Sequence, residues 1–204
     1  MAQNNETFMI DKPKLFFGTG NRHKLDEVVA ILGKYFTLKS FLDLPHKIEV
    51  IEDQPDFVGN ARKKAIKFFN EVQYATIADD TGLEVEALGG QPGVYSARYA
   101  GENASDQDNR TKLLNALEGI NNRAANFKTI IYYKTKHSEI AFEGVFKGTI
   151  ALEEKGHNGF GYDPIFIPHG YTQTLAELDP NEKNKISHRA LALQKMKQYF
   201  DEQS

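Results

Sequence analysis

Apolar positions fall along this chain in two rhythms. Lys14-Leu15-Phe16-Phe17 is a short apolar run broken at Gly18-Thr19-Gly20-Asn21, which reads as a buried strand ending in a turn. Leu25, Val28, Val29 and Leu32 then recur at the spacing of one helix face, and Gly33 is placed to end that helix. Lys47 to Ile51 reads as a second strand, and Ala61, Ala65, Phe68, Phe69 and Val72 as another helical stripe. Tyr74 to Ala78 reads as a strand whose exit is Asp79-Asp80-Thr81-Gly82. Gly89-Gly90-Gln91-Pro92-Gly93 is turn chemistry. Leu113, Leu114 and Leu117 predict a helix, with Ser105 and Asp108 spaced as a capping box ahead of it.

The second half changes character. Phe127 to Lys134 and Ile140 to Leu152 are rich in β-branched and aromatic residues, and so few residues join them that an antiparallel hairpin is expected. Gly156, Gly159 and Gly161 punctuate a loop that ends at Tyr162-Asp163-Pro164, and Ile186, Ala190, Leu193, Met196 and Phe200 mark a last helix. Early strands alternating with helices, followed by a hairpin, predict a mixed α/β fold. No repeat or linker divides the chain, so residues 14–204 are expected to form one domain behind a loose polar tail at residues 1–13.

Composition narrows the class. The 204 residues are 40% hydrophobic and 26% charged with a net charge of −3, values of a globular chain rather than a disordered or fibrous one. The near balance of charge argues against nucleic acid or an anionic membrane as the main partner. With no cysteine, disulfides, thiol nucleophiles and thiolate metal sites are excluded. No run reaches the length of a membrane span, and the first residues lack the pattern of a signal peptide. A soluble, cytoplasmic protein is the expectation.

Four constellations carry candidate chemistry. Gly18 to Lys24 would place glycines, a helix N-terminus and a lysine around an anion such as phosphate, or it is a plain strand-to-helix turn capped by Asn21. Asp79-Asp80 past a buried strand suits a hard cation such as Mg2+, or is a solvated acidic turn. Gly159 to Pro164 would present Phe160 as a flat shelf, with Asp163 accepting hydrogen bonds from a ring, or would bury Phe160 as core. Lys183, Lys185, His188 and Arg189 gather cations at a helix start, where the dipole disfavours them unless an anion is bound. Phosphate, a divalent metal and an aromatic ring together are the needs of a nucleoside triphosphate.

In chain order, Thr19-Gly20-Asn21-Arg22-His23-Lys24, Ala78-Asp79-Asp80-Thr81-Gly82-Leu83, Ala87 to Gly101, Gly159 to Pro164 and Lys183 to Arg189 resemble the inosine triphosphate pyrophosphatase family over nearly the whole chain. The resemblance implies an elongated α/β fold with a mixed central sheet flanked by helices and a cleft between two lobes. It also implies a homodimer, and Mg2+-dependent hydrolysis of non-canonical purine nucleoside triphosphates (ITP, dITP, XTP) to monophosphate and pyrophosphate. Carried over by residue, Thr19, Gly20, Asn21, Arg22, His23 and Lys24 match the triphosphate loop. Asp80 matches the catalytic base and metal ligand, with Glu52 as a metal-associated carboxylate, and Thr81 matches a substrate contact. Phe160, Gly161, Tyr162 and Asp163 match the base-binding loop, Lys183 a lysine near the substrate, and His188 with Arg189 the pair that reads the purine 6-oxo group. Lys24, Lys183 and the helix N-terminus would bind phosphates while Asp80 or Asp79 orients a water toward the α-phosphorus. One departure stands out: Phe57-Val58-Gly59-Asn60-Ala61 has glycine where the family usually has glutamate. The competing expectations are a related pyrophosphatase of different base preference and a non-catalytic nucleotide sensor.

Overall fold

The structure, a computed structural model, describes residues 12–203 except 47, 180–181 and 184–185; of the side chain of residue 23 nothing is described. The expected tail therefore lies outside the described residues as far as residue 11. Six strands are described: β1 (Lys14–Phe17), β2 (Thr37–Ser40), β3 (Thr76–Val85), β4 (Ala124–Lys134), β5 (Glu139–Ile150) and β6 (Phe166–Pro168). The longer helices are α1 (Arg22–Leu32), α2 (Phe57–Val72), α3 (Asp106–Ala116) and α4 (His188–Asp201). The strands form one mixed sheet in the order β2-β1-β3-β4-β5-β6, parallel from β2 to β3 and antiparallel from β3 onward.

Three long strands, β3, β4 and β5, run the length of the sheet, and helices cover both faces at one end. On one face α1 and α4 pack over Leu15, Phe17, Ile77, Ile131 and Phe142. On the other α2 packs Ala61, Ala65 and Phe68 against Phe16, Ala78 and Ile130. At the far end α3 supplies Leu113 and Leu117 to a separate core with Leu83, Phe127, Ile150 and Phe166. Between the two ends the β3–β4 register pairs Asp79 with Ile131, Asp80 with Ile130 and Thr81 with Thr129. Polar side chains thus interrupt an otherwise apolar sheet, and the sheet has two apolar lobes with a polar waist. Opposite that waist Gly144 lets α4 approach β5, because a Cβ there would sit 1.9 Å from the His188 carbonyl oxygen.

Two expectations are corrected. Residues 48–51 form no strand; the second strand is Thr37–Ser40, whose short polar sequence carries no alternation to read. The strand expected over Tyr74 to Ala78 is β3, Thr76–Val85, so Asp79 and Asp80 lie inside the strand and not at its exit. Because successive strand residues point to opposite faces, the two acids cannot share a cation from one side. The hairpin, the capped α3 and the apolar stripes of α1, α2 and α4 form as expected, save that Val29 faces solvent and that Ile186 precedes the Ser187 cap of α4 and packs in the far core. Among the described residues no helix is long and apolar enough to cross a membrane.

Candidate active site

The cleft opens where β1 stops. β1 pairs with β3 at Thr76 and Ile77, and among the described residues no strand follows it along that edge of β3 beyond Ala78, where the next pairing is an isolated bridge from Glu84 to Pro92. The turn after β1 and the segment 48–52 wall this opening, which is where ligands gather in α/β sheets. A polar cavity of about 880 Å³ lies here, lined by Thr19, Gly20, Asn21, Lys24, Glu49, Glu52, Lys64, Asp79 and Asp80 among others. A second cavity of about 210 Å³ adjoins it and is lined by Phe127, Phe160, Gly161, Tyr162, Asp163, Lys183, His188 and Arg189. Lys24, Thr81 and Ala97 line both.

Asp80 points to the α2 face. Its carboxylate accepts from Asn60 at 3.2 Å and from the Lys64 ammonium at 3.2 Å, and Lys64 lies 2.5 Å from Glu52. Asn60 and Lys64 are one turn apart on α2, which is why both reach the same acid. Burial pushes the Asp80 carboxyl up; Lys64 opposes the rise and Glu52 adds to it. Burial disfavours the charge on Lys64, yet Asp80, Asp79 and Glu52 outweigh it and raise that ammonium.

Asp79 points to the α1/α4 face. It takes Lys24 at 2.9 Å and the Arg189 Nε at 3.4 Å, and Arg189 reaches Glu27 at 2.8 Å. Burial opposes the Asp79 charge, but Lys24, Arg189 and Lys64 overcome it and hold the carboxyl well below the usual range. His188 stacks on Phe127 with ring centroids 4.8 Å apart, and its buried Nδ1 has no partner among the described residues. Burial, with Arg189, Lys183 and Lys24 nearby, drops this imidazole well below its ordinary value, so it is neutral at pH 7.

The aromatic shelf is built by its loop. Gly159 has φ +80°, and a Cβ there would meet the Asp163 carboxylate at 2.1 Å, so glycine alone fits. Asp163 Oδ2 accepts the Phe160 N–H at 2.7 Å and the Lys183 ammonium at 2.5 Å, and that ammonium lies 4.9 Å from the Phe160 ring centroid. Burial raises the Asp163 carboxyl against the pull of Lys183. Tyr162 donates to the Ser96 carbonyl at 2.8 Å.

The expected residues distribute as follows. Thr19, Gly20, Asn21, Lys24, Glu52, Asp80 and Thr81 line the polar cavity; Phe160 to Asp163, Lys183, His188 and Arg189 line the aromatic one. Lys183 lines the aromatic cavity and not the polar one, because Asp163 holds it there. Arg22 pairs with Asp26 on the exposed side of α1 and lines neither cavity. The side chain of His23 lies outside the described residues. Sequence reasoning missed Asn60, Lys64 and Glu27. Lys64 sits in the run Arg62-Lys63-Lys64, which reads as a solvated face, and only its spacing from Asn60 signals otherwise. A Cβ at Gly59 would sit 2.8 Å from the Gln54 Cβ and 3.3 Å from the Asp56 carboxylate, so a side chain there displaces Gln54.

Comparisons with known proteins agree with this architecture. The sequence model of the Ham1 family matches residues 15–199. The chain is 44% identical over 183 residues to a dITP/XTP pyrophosphatase of Flavobacterium johnsoniae, covering 90% of this chain and 95% of that one. It is 46% identical over 190 residues to one of Thermoanaerobacter pseudethanolicus, covering 92% and 96%. Among solved structures, the Staphylococcus aureus Ham1 protein superposes with a TM-score of 0.87 at 35% identity, covering 94% of this chain and all of that one. A HAM1 protein from Coxiella burnetii gives 0.84 at 37% identity, covering 93% and 99%.

Proposed function

Because the chain belongs to the Ham1 family, we propose that it hydrolyses non-canonical purine nucleoside triphosphates (dITP, XTP and ITP) to the monophosphate and pyrophosphate with Mg2+. The observation that carries this reading is the pair of adjoining cavities, polar and aromatic, that meet at Lys24, Thr81 and Ala97. A purine fits the aromatic cavity against Phe160 and Phe127, and the polyphosphate tail then runs over the polar waist past Lys24 to Asp80.

The donor set fits a hard divalent cation. The polar cavity presents Glu49, Glu52, Asp79 and Asp80 against Lys24 and Lys64, so a polyanion entering it needs further positive charge. Among the described residues no three acidic or histidine side chains cluster as a complete metal cage. Mg2+ is commonly bound by one or two carboxylates with substrate oxygens and water making up the rest. Asp80 and Glu52 would hold the ion, and when bound it supplies charge neutralisation to the phosphate oxygens. Lys64, now between those two carboxylates, is placed to turn to phosphate.

Asp80 is the group that orients the attacking water and accepts its proton. Asn60 and Lys64 hold its carboxylate in place for that role. Lys24, fixed by Asp79, binds the tail. Selectivity follows from hydrogen-bond polarity. Arg189 only donates, and Glu27 and Asp79 fix its orientation. A 6-oxo purine accepts from it, whereas the 6-amino group of adenine meets a donor. One buried unmet donor costs about 1–3 kcal/mol, roughly a factor of 5–150 in rate. A cytoplasmic enzyme working as a homodimer completes the proposal, and sedimentation at micromolar concentration reads the dimer.

The test is a panel of dITP, XTP, ITP, ATP and GTP, with Mg2+ and with chelator, and chromatography of products. Monophosphate and pyrophosphate from the first three, lost with chelator, are expected. Equal rates on ATP and dITP, or release of inorganic phosphate with the nucleoside diphosphate, would overturn it.

A further inference from the structure

The loop that carries the aromatic shelf is held from outside by α3. Both backbone groups of Gly161 are taken by that helix: its N–H donates to Asp106 at 2.8 Å, and its carbonyl accepts from Arg110 at 2.8 Å. Arg110 also pairs with Glu154 earlier in the same loop at 3.1 Å, and Gln107 donates to Glu154 at 2.8 Å while accepting from Arg110 at 2.7 Å. One turn along, Asn109 donates to the Ala97 carbonyl at 3.2 Å and accepts the Ala100 N–H at 2.8 Å. Ala97 and Ser96 also line the aromatic cavity. α3 therefore ties to two segments of that lining, and its own start is fixed by the Ser105–Asp108 capping box.

The geometry points to Asp106 and Arg110 as positioning residues that set the width of the purine slot through Gly161. The inference rests on the function proposed above and deepens it. Arg110 is largely buried under the loop and lies outside both cavity linings, so it acts on the base only through the shelf. Asp106 lines the aromatic cavity as well as holding Gly161, so Arg110→Met is the variant that separates positioning from direct contact. Phe160 is 48% exposed and has few apolar neighbours to fix it, so its place depends on these polar ties and on Asp163. The α3 ties touch neither Asp80 nor the phosphate groups. Loosening them should weaken base binding and leave the chemical step alone.

The experiment measures kcat and KM for dITP, and inhibition by inorganic tripolyphosphate, in Asp106→Ala, Asp106→Asn and Arg110→Met. Asparagine keeps an acceptor for the Gly161 N–H, whereas alanine removes it. Losing the bond to Gly161 is expected to raise KM for dITP about 3- to 10-fold in Asp106→Ala, and at least as much in Arg110→Met, which also loses Gln107 and Glu154, with kcat within about twofold. Asp106→Asn should stay near wild type, and tripolyphosphate inhibition should not change in any variant. A thermal melt separates loss of fold, and because Asp106 is exposed its alanine variant carries the test if Arg110→Met unfolds. Unchanged KM in folded Asp106→Ala, or a fall in kcat with KM unchanged, would overturn the positioning role. The failure of the wider reading looks different: wild-type protein would then not hydrolyse dITP at all.

Discussion

Asp79 and Asp80 are neighbours in sequence with opposite fates. Asp79 faces α1 and α4, where Lys24 and Arg189 neutralise it and hold its carboxyl low. Asp80 faces α2, where burial and Glu52 raise its carboxyl against a single shared ammonium. The alternation of one strand thus turns a pair of acids into one matched by two cations and one whose charge is incompletely matched, the group proposed above as the base. What distinguishes them is the helix on each side of the sheet rather than the residue type. A carboxylate already matched by two cations is a poor base; one whose charge is incompletely matched can accept a proton or a metal.

Substitutions break this comparison at different points. Asp80→Asn should cut kcat on dITP by about a thousandfold while the melting temperature moves little, since Lys64 keeps Glu52 as partner. Steady-state kinetics and calorimetry of the same preparation check both halves. Asp79→Ala should do its main damage to the fold, because it strands Arg189 and Lys24 without their shared acid; loss of one partner from a buried pair costs about 3–5 kcal/mol. Denaturant unfolding reads it, and a loss under about 1 kcal/mol would place Asp79 with the solvated acids. For the cation, Glu52→Gln should raise the Mg2+ half-saturation about tenfold. Gly59→Glu should change it less than about threefold, because that side chain starts toward Gln54 and Asp56. A larger shift on restoring the glutamate would show that position to matter for the metal.

The smallest effect concerns pH. The folded His188 titrates well below its unfolded value of about 6.5, so the unfolded chain binds a proton first and stability falls as pH drops below that value. The slope approaches about 1.4 kcal/mol per pH unit for one proton. Asp80 and Asp163 are raised, and Asp79 loses its contribution only below pH 4. The difference between wild type and His188→Asn from pH 7.5 to 5 therefore isolates the imidazole. A flat difference would mean that His188 titrates alike in the folded and unfolded chains, and a slope of the opposite sign that it is charged in the folded protein.

Helices and the hairpin were legible because their signals are local. The Ser105–Asp108 capping box and the stripe Ala61, Ala65, Phe68 need only neighbours in sequence. β2 was not legible: Thr37–Ser40 pairs along one edge with β1 and shows no alternation. The end of β3 was misplaced because Asp79 and Asp80 look like a turn; only helices on both faces make that polar stretch a buried strand. For the site, the five motif blocks lead to two contiguous cavities. Lys64, Asn60 and Glu27 stayed hidden because each is an ordinary polar helix residue until tertiary packing aims it at an acid.

The central claim is that a purine in the aromatic cavity lays its tail over the waist so that a water beside Asp80 meets the α-phosphorus. Hydrolysis of dITP in 18O-water with Mg2+, read by mass spectrometry, tests this directly. The label is predicted in the monophosphate, with unlabelled pyrophosphate released. Label in the pyrophosphate, or in inorganic phosphate released beside dIDP, would contradict it.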